Sequence, residues 1–325
     1  MQWKMAAPSR VSDRFNRWAL RHGFPALLWL APRLPRGFNH LGARFVIWVV
    51  MTLHHRPKRA IARNLAHILG APPGDRRVRA ATRQMLRNFA IYWVDLFAFA
   101  QLPPERTQAL VDRVEGSEHL EAAIAAGKGG VLLTAHLGNW ELGGMITRFL
   151  DLPMSVVYVP DQFAEVERCR SLLRKSLGVE EIPIQPHGML NSLPVLRALN
   201  QRRFVALQGD RDFDERGLPV EFFGQSVKLP AGPFYLALAT GAPLLPVFVA
   251  YTSGYRLRVQ LGPPIHLEST GNRRADVERG LEQWARVLEE AVRRWPTQWY
   301  TFFDYWSSAD AAPAVSPPAG RLEAR

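Results

Sequence analysis

Between Arg76 and Ala100 the apolar positions Leu86, Phe89, Ala90, Trp93, Leu96 and Phe97 recur every three or four residues, which places them on one face of an α-helix. Past Gly127 the period shortens. Apolar runs at 130–134, 155–159, 203–208, 244–251 and 255–261 predict strands, and segments of helical period at 139–150, 163–177, 190–200, 233–240 and 275–295 predict helices between and after them. In the last helix Val277, Leu281, Trp284, Val287, Leu288, Val292 and Trp295 trace one face. This alternation predicts an α/β fold, a mixed sheet covered by helices, with no internal repeat.

The N-terminal stretch follows neither pattern. From Asp13 to Met51, Trp18, Phe24, Leu27, Leu28, Trp29 and Leu30 are interleaved with arginines. The longest apolar runs, 45–53 and 24–32, are too short for a bilayer span, which needs about 20 residues. A secretory signal is not expected either, because Arg10, Arg14, Arg17 and Arg21 precede the first apolar run and no small-residue cleavage site clearly follows it. The mixture predicts a helix or helical hairpin lying in a membrane surface, with aromatic rings at headgroup depth and guanidinium groups on lipid phosphates. The plainer alternative is that these apolar residues pack on the main body. The expected organisation is a basic, aromatic, helical membrane-associating segment over 1–75, an α/β domain over 76–306 and a disordered tail rich in Ala and Pro over 307–325.

Composition sharpens this division. A chain of 325 residues that is 47% hydrophobic and 22% charged is not wholly disordered. The net charge of +12 is uneven, since residues 1–100 hold 17 basic and 3 acidic side chains while the remainder is close to neutral. Such asymmetry points to a polyanion or an anionic membrane surface. The single cysteine, Cys169, excludes an internal disulfide, and His54, His55, His187 and His266 lack metal-ligand spacing, so neither a zinc site nor another metal is expected.

Chemistry in an open α/β sheet is expected where strands end. The run Val131-Leu132-Leu133-Thr134-Ala135 leads directly into His136-Leu137-Gly138-Asn139-Trp140-Glu141. On one continuous helix His136 and Glu141 would point about 140° apart. They can meet only if His136 lies in the loop ahead of a helix that Asn139 caps, with Glu141 in its first turn. A carboxylate on one imidazole nitrogen fixes the tautomer and leaves the other nitrogen free to take a proton. An isolated pair of this kind is more often structural. Here four further segments follow in order: Gly209-Asp210-Arg211-Asp212, Val220-Glu221-Phe222-Phe223-Gly224, Leu229-Pro230-Ala231-Gly232-Pro233, and Gly241-Ala242-Pro243-Leu244-Leu245-Pro246-Val247-Phe248.

Together these segments resemble the late lipid A biosynthesis acyltransferases and the related phosphatidylinositol mannoside acyltransferases, within the glycerolipid acyltransferases that share an HxxxxD/E motif. The resemblance runs from about Arg56, where Arg59-Ala60-Ile61-Ala62-Arg63-Asn64-Leu65 looks like the family's opening segment, to about Trp306. It implies transfer of a fatty acyl chain from a thioester, of acyl carrier protein or of coenzyme A, to a hydroxyl of a membrane glycolipid or lysophospholipid, with a lipid A-like acceptor favoured. It also implies action at the cytoplasmic membrane face, membrane lipids and acyl carrier protein as partners, and no cofactor beyond the donor. His136 would be the general base with Glu141 orienting it. Glu221 looks like the match of a later glutamate assigned as the histidine's partner in the mannoside enzymes, and the choice between the two acids stays open. Substrate contacts are expected from Asn139, Asp210, Arg211, Gly224, Pro230, Arg168 and Arg174. For Arg211 the competing reading is an ion pair with Asp210, Asp212 or Asp214; for Arg168, Arg170 and Arg174 it is a solvated helix face. The aromatic run from Trp299 to Trp306 could line an acyl groove or touch the membrane interface, though such runs more often complete a core.

Rival classes fit less well. No G-x-S-x-G elbow exists for a serine hydrolase. Gly127-Lys128-Gly129-Gly130 precedes its strand and lacks P-loop spacing. A basic nucleic-acid- or membrane-binding protein is the non-enzymatic alternative, but the excess charge is interleaved with large apolar residues and lies outside the region of His136.

Overall fold

The computed structural model describes residues 29–306 apart from 54, 101–102, 146–149, 162–163, 186–187, 189–190 and 214. The expected tail at 307–325 and the first 28 residues of the N-terminal segment lie outside the described residues. Helices α1 (Arg36–Leu53), α2 (His55–Ile68), α3 (Arg76–Phe99) and α4 (Pro104–Gln108) come first, followed by β1 (Val111–Glu115), α5 (Ser117–Ala125) and β2 (Gly130–Thr134). Next are β3 (Met154–Tyr158), α6 (Ala164–Ser176), β4 (Glu180–Pro183), α7 (Ser192–Asn200) and β5 (Phe204–Gln208). The hairpin β6 (Leu218–Phe222) and β7 (Gln225–Leu229) precedes α8 (Gly232–Thr240), β8 (Leu244–Tyr251), β9 (Leu257–Leu261) and α9 (Arg273–Arg294).

Seven strands form one sheet in the order β1-β9-β8-β2-β5-β3-β4, and all neighbours are parallel except β8 and β9. Side-chain alternation along β2 separates the two sides of the core. Val131 and Leu133 pack with apolar residues of α7, α8 and α9, whereas Leu132 packs with those of α3, α5 and α6. The central strands are buried on both faces, as parallel strands covered by helices require. A third cluster joins α2 to α3 through Ile61, Leu65, Met85, Phe89 and Tyr92, and takes in Tyr300 from the C-terminal run.

The expected strands agree with the structure to within about two residues, and the α/β class holds. In the first half of the helix expected over 139–150 the chain is tighter than an α-helix. A 3-10 turn spans Trp140–Met145, and residues 146–149 lie outside the described residues. β1 and β4 are short, polar edge strands whose sequences, VDRVE and EEIP, lack an apolar run. The β6–β7 hairpin turns through Phe223 and Gly224 with φ of 52° and 72°, the two positive values that a mirror-image two-residue turn demands. Phe223 tolerates that backbone because its N–H donates to Glu289 (2.8 Å) and its carbonyl accepts from His67 Nε2 (2.9 Å).

Helix α1 presents an unusual distribution of side chains. Phe38, Leu41, Phe45 and Trp48, spaced three and four apart, are each more than 60% exposed. On the opposite side Ala43 is buried and Arg36 reaches the carboxylate of Asp95 on α3. Among the described residues no helix is long and apolar enough to cross a membrane.

Candidate active site

Parallel register assembles the site. Thr134, the last residue of β2, is paired with Gln208, the last of β5. His136 and Asp210 each follow two residues later and emerge side by side at the carboxyl edge of the sheet. Asp210 Oδ1 lies 2.8 Å from His136 Nδ1, and Asp210 Oδ2 accepts the backbone N–H of His136 (3.1 Å) and the indole N–H of Trp299 (3.0 Å). The Asp210 carbonyl accepts from the Tyr305 hydroxyl at 2.8 Å. The imidazole partner is therefore Asp210, which the sequence reading had placed among the substrate contacts. Its carboxylate and carbonyl are occupied inside the protein.

Neither glutamate reaches the imidazole. Glu141 is buried and forms a two-pronged ion pair with Arg174, Nε to Oε2 at 3.1 Å and a terminal nitrogen to Oε1 at 2.9 Å, while Arg170 Nε stands 3.5 Å from Oε1. The geometric reason is local. Because the chain tightens into a 3-10 turn, Glu141 is directed to α6 and away from His136 Nδ1, which Asp210 already holds. Glu221 is exposed on β6, in a shallow groove with Gly224, Glu282, Arg286 and Glu289. Gly224 thus serves the hairpin turn, and Pro230 ends β7 ahead of α8. Arg168 is exposed on α6, as a solvated face requires, but Arg170 and Arg174 are buried against Glu141, so that reading fails for those two.

The loop carrying His136 is fixed at several points. Gly138 has φ of +63°, and a Cβ there would stand 2.0 Å from the Val249 carbonyl oxygen. Only glycine fits this close approach to β8. The N–H groups of Gly138 and Asn139 donate to Gln298 O (2.9 Å) and Val249 O (2.8 Å), and the His136 carbonyl accepts from the N–H of Tyr300 (2.9 Å). Asn139 does not cap a full helix. Its side-chain amide donates to the Tyr251 hydroxyl at 2.7 Å, and its Oδ1 lies 3.4 Å from the N–H of Leu142. Trp140 stacks on Tyr92, with ring centroids 4.5 Å apart, and packs edge-on to His136 at 5.2 Å.

Electrostatics favours a neutral imidazole beside an ionised carboxylate. Burial, aided by the positive charge of Arg211, lowers the pKa of His136 to about 4 against the opposing pull of Asp210. Burial also disfavours the Asp210 carboxylate, but His136, Arg211 and the Trp299 indole outweigh it and hold the group well below its ordinary range. Arg211 is itself half-buried, 3.7 Å from Asp210 Oδ2, with its guanidinium over the Phe303 ring and a hydrogen bond to the Tyr300 carbonyl. Within the Trp299–Trp306 run the core reading holds for Trp299, Tyr300 and Tyr305, which are buried and two of which grip Asp210, whereas Phe303 is exposed.

His136 stands on the wall of a mainly apolar cavity that extends between β2, β3, β5 and β8, bounded by Leu132, Met154, Val156, Ala206, Val247 and Val249. Thr134, Gln208 and the Glu141–Arg174 pair contribute its polar wall. With Nδ1 held by Asp210, Nε2 is the nitrogen that can exchange a proton with a bound molecule. The described residues include no group of three or more His, Cys, Asp or Glu suited to a metal ion.

A profile of the family described as bacterial lipid A biosynthesis acyltransferase matches residues 11–308. The chain belongs to this acyltransferase family. Similar proteins include a phosphatidylinositol mannoside acyltransferase of Mycobacterium tuberculosis (strain CDC 1551 / Oshkosh), 28% identical over 304 residues that cover 92% of this chain and 90% of that protein. One of the same name from Mycolicibacterium smegmatis is 29% identical across 76% of this chain and 78% of its own length. A lipid A biosynthesis acyltransferase of Haemophilus influenzae is 24% identical across 65% and 63%. In this lipid A biosynthesis acyltransferase family member, the sequence carries one hint of Asp210, which follows its apolar run at the same distance as His136 follows its own; that the two runs are paired strands is supplied by the fold.

Proposed function

We propose that this acyltransferase moves a fatty acyl group from a thioester to a hydroxyl of a membrane glycolipid, with His136 as general base and Asp210 as the group that orients it. The observation that carries the proposal is the buried His136–Asp210 contact on the wall of an apolar cavity. An alkyl chain is suited to that cavity by the hydrophobic effect, and its thioester end would then lie by the imidazole. Nε2 takes the proton of the acceptor hydroxyl, and the oxygen attacks the thioester carbonyl carbon. A C–O bond forms and the C–S bond breaks. The leaving thiolate recovers the proton from the imidazolium, which the Asp210 carboxylate stabilises in the meantime. No acyl-enzyme is needed.

The donor is an acyl thioester of acyl carrier protein or coenzyme A, and the acceptor is of the phosphatidylinositol mannoside or lipid A type. The relatives bearing the former name match over more of the chain, which supports testing that acceptor first. The enzyme works from the cytoplasmic membrane face. Its exposed row of Phe38, Leu41, Phe45 and Trp48, within a strongly basic N-terminal third, supports seating on anionic lipid.

Purified protein is incubated with radiolabelled palmitoyl thioesters of coenzyme A and acyl carrier protein, each paired with phosphatidylinositol mannoside or a lipid A precursor. Labelled acylated glycolipid is expected from one pair, and His136→Ala should abolish it while leaving the circular dichroism spectrum intact. Undiminished transfer by that variant would overturn the assignment of the base.

A further inference from the structure

A chain of buried polar contacts connects α1 to the loop that carries His136. Arg36, at the start of α1, grips Asp95 with two hydrogen bonds, Nε to Oδ1 at 3.0 Å and a terminal nitrogen to Oδ2 at 2.7 Å. Asp95 Oδ2 also accepts from the Tyr251 hydroxyl at 2.9 Å, and that hydroxyl accepts from the Asn139 amide at 2.7 Å. Asp95 and Asn139 are fully buried and Tyr251 nearly so. A carboxylate placed there is costly unless it is paired, and each partner has few alternatives. Asn139 is three residues from His136, and the tie from its side-chain amide to Tyr251 adds to the bond from its N–H to Val249 O in holding the turn that sets the imidazole.

The outer end of the chain has a matching arrangement. Arg36, His40 and Ala43 lie along the inward face of α1, with His40 Nε2 3.4 Å from Asp95 Oδ1. The outward face is the exposed row Phe38, Leu41, Phe45 and Trp48. A helix that exposes its largest apolar side chains and turns an arginine inward is suited to an apolar medium on its outer side. The net charge of the first hundred residues selects an anionic bilayer as that medium.

We propose that Arg36, Asp95, Tyr251 and Asn139 are positioning residues that tie the catalytic loop to a lipid-seated α1, so that contact with an anionic bilayer steadies His136 in its working position. The inference rests on the membrane seating proposed above and adds the coupling to it. Loss of the coupling is separable from loss of lipid binding, because Tyr251 and Asn139 are buried far along the chain from the exposed row.

Hydrogen exchange of the full-length protein, followed over residues 136–145 by mass spectrometry, tests this with vesicles of phosphatidylglycerol and phosphatidylcholine and with vesicles of phosphatidylcholine alone. Mixed vesicles should slow exchange of this segment in the unmodified protein by about tenfold, and the zwitterionic vesicles should not. Tyr251→Phe, which keeps the ring and removes the hydroxyl, and Arg36→Gln should sediment with the mixed vesicles yet lose the protection. Arg36→Lys should recover part of it. Unmodified protein that binds the vesicles without protection of 136–145, or variants that keep full protection, would overturn the coupling and leave the lipid seating standing. Unmodified protein that fails to sediment with the mixed vesicles would overturn the seating and the coupling with it.

Discussion

Asp210 is distinguished from the two glutamates by what each can transmit to the imidazole. It holds Nδ1 and the backbone N–H of the same residue, so it sets both the tautomer and the ring's position. Asp210→Asn should lower kcat by roughly two to four orders of magnitude, the range associated with an acid–base component, with a smaller change in KM. Glu221→Gln, on the exposed hairpin, should leave kcat within about twofold; a collapse of rate there, with Asp210→Asn near normal, would reverse the assignment. The pH profile provides a second reading. With the imidazole pKa near 4, the acid limb of kcat/KM should lie well below the 6.5 of an ordinary histidine. Arg211→Gln removes a positive neighbour, which favours the imidazolium, so the limb should move toward neutral pH. A limb that does not move would sink that account of the shift. Between 6.5 and about 4 the unfolded chain binds a proton that the folded one does not, so stability falls as pH drops through that window. Circular dichroism recorded at each pH separates this loss of folding from titration of catalysis. His136 was legible in the sequence because a strand-ending histidine beside a glycine turn is a local signal. Asp210 was visible as a residue but not as the partner, since only the β2–β5 register brings positions 74 apart into contact.

At the level of elements, the Glu141–Arg174 pair ties the turn after His136 to α6. Both groups are buried, and Glu167 and Glu181 approach Arg174 from the other side at 3.4 and 3.3 Å. Glu141→Gln should therefore act on folding. Leaving an arginine buried beside a neutral group costs roughly 3–5 kcal/mol where no other acid remains, and the two residual glutamates place this variant at the lower end. A fall in Tm of roughly 5 °C is expected by calorimetry. The acid limb of the variant should stay where the unmodified protein has it; a shift comparable to that of Arg211→Gln would mean that Glu141 governs the imidazole after all. Periodicity located the central strands and long helices well, since burial on one or two faces leaves a repeat in the sequence. It missed β1 and β4, where the edge position permits charged residues, and it read Trp140–Met145 as the start of a long helix. The close approach of Gly138 to Val249 and the grip of Asn139 on Tyr251 are tertiary contacts that no local pattern encodes.

For the molecule as a whole, the question is why the basic residues and the exposed aromatics share the N-terminal third. A nucleic acid would be satisfied by charge alone, whereas Phe38, Phe45 and Trp48 gain nothing from a phosphate backbone in water. Lipid uses both: headgroups attract the arginines, and the interfacial region takes up the rings. The two contributions can be separated experimentally. Sedimentation with phosphatidylglycerol vesicles should weaken as salt is raised from about 0.05 to 0.5 M, because the Debye length shortens from roughly 14 to 4 Å over that range. Replacing Phe45 and Trp48 together by serine should weaken binding at every salt concentration. Removal of these two side chains from the interface forfeits about 25 cal/mol for each Å² they bury there, enough for a loss of tenfold or more. Binding that ignores salt would detach the charge asymmetry from lipid, and binding that ignores the double substitution would detach the exposed row of α1.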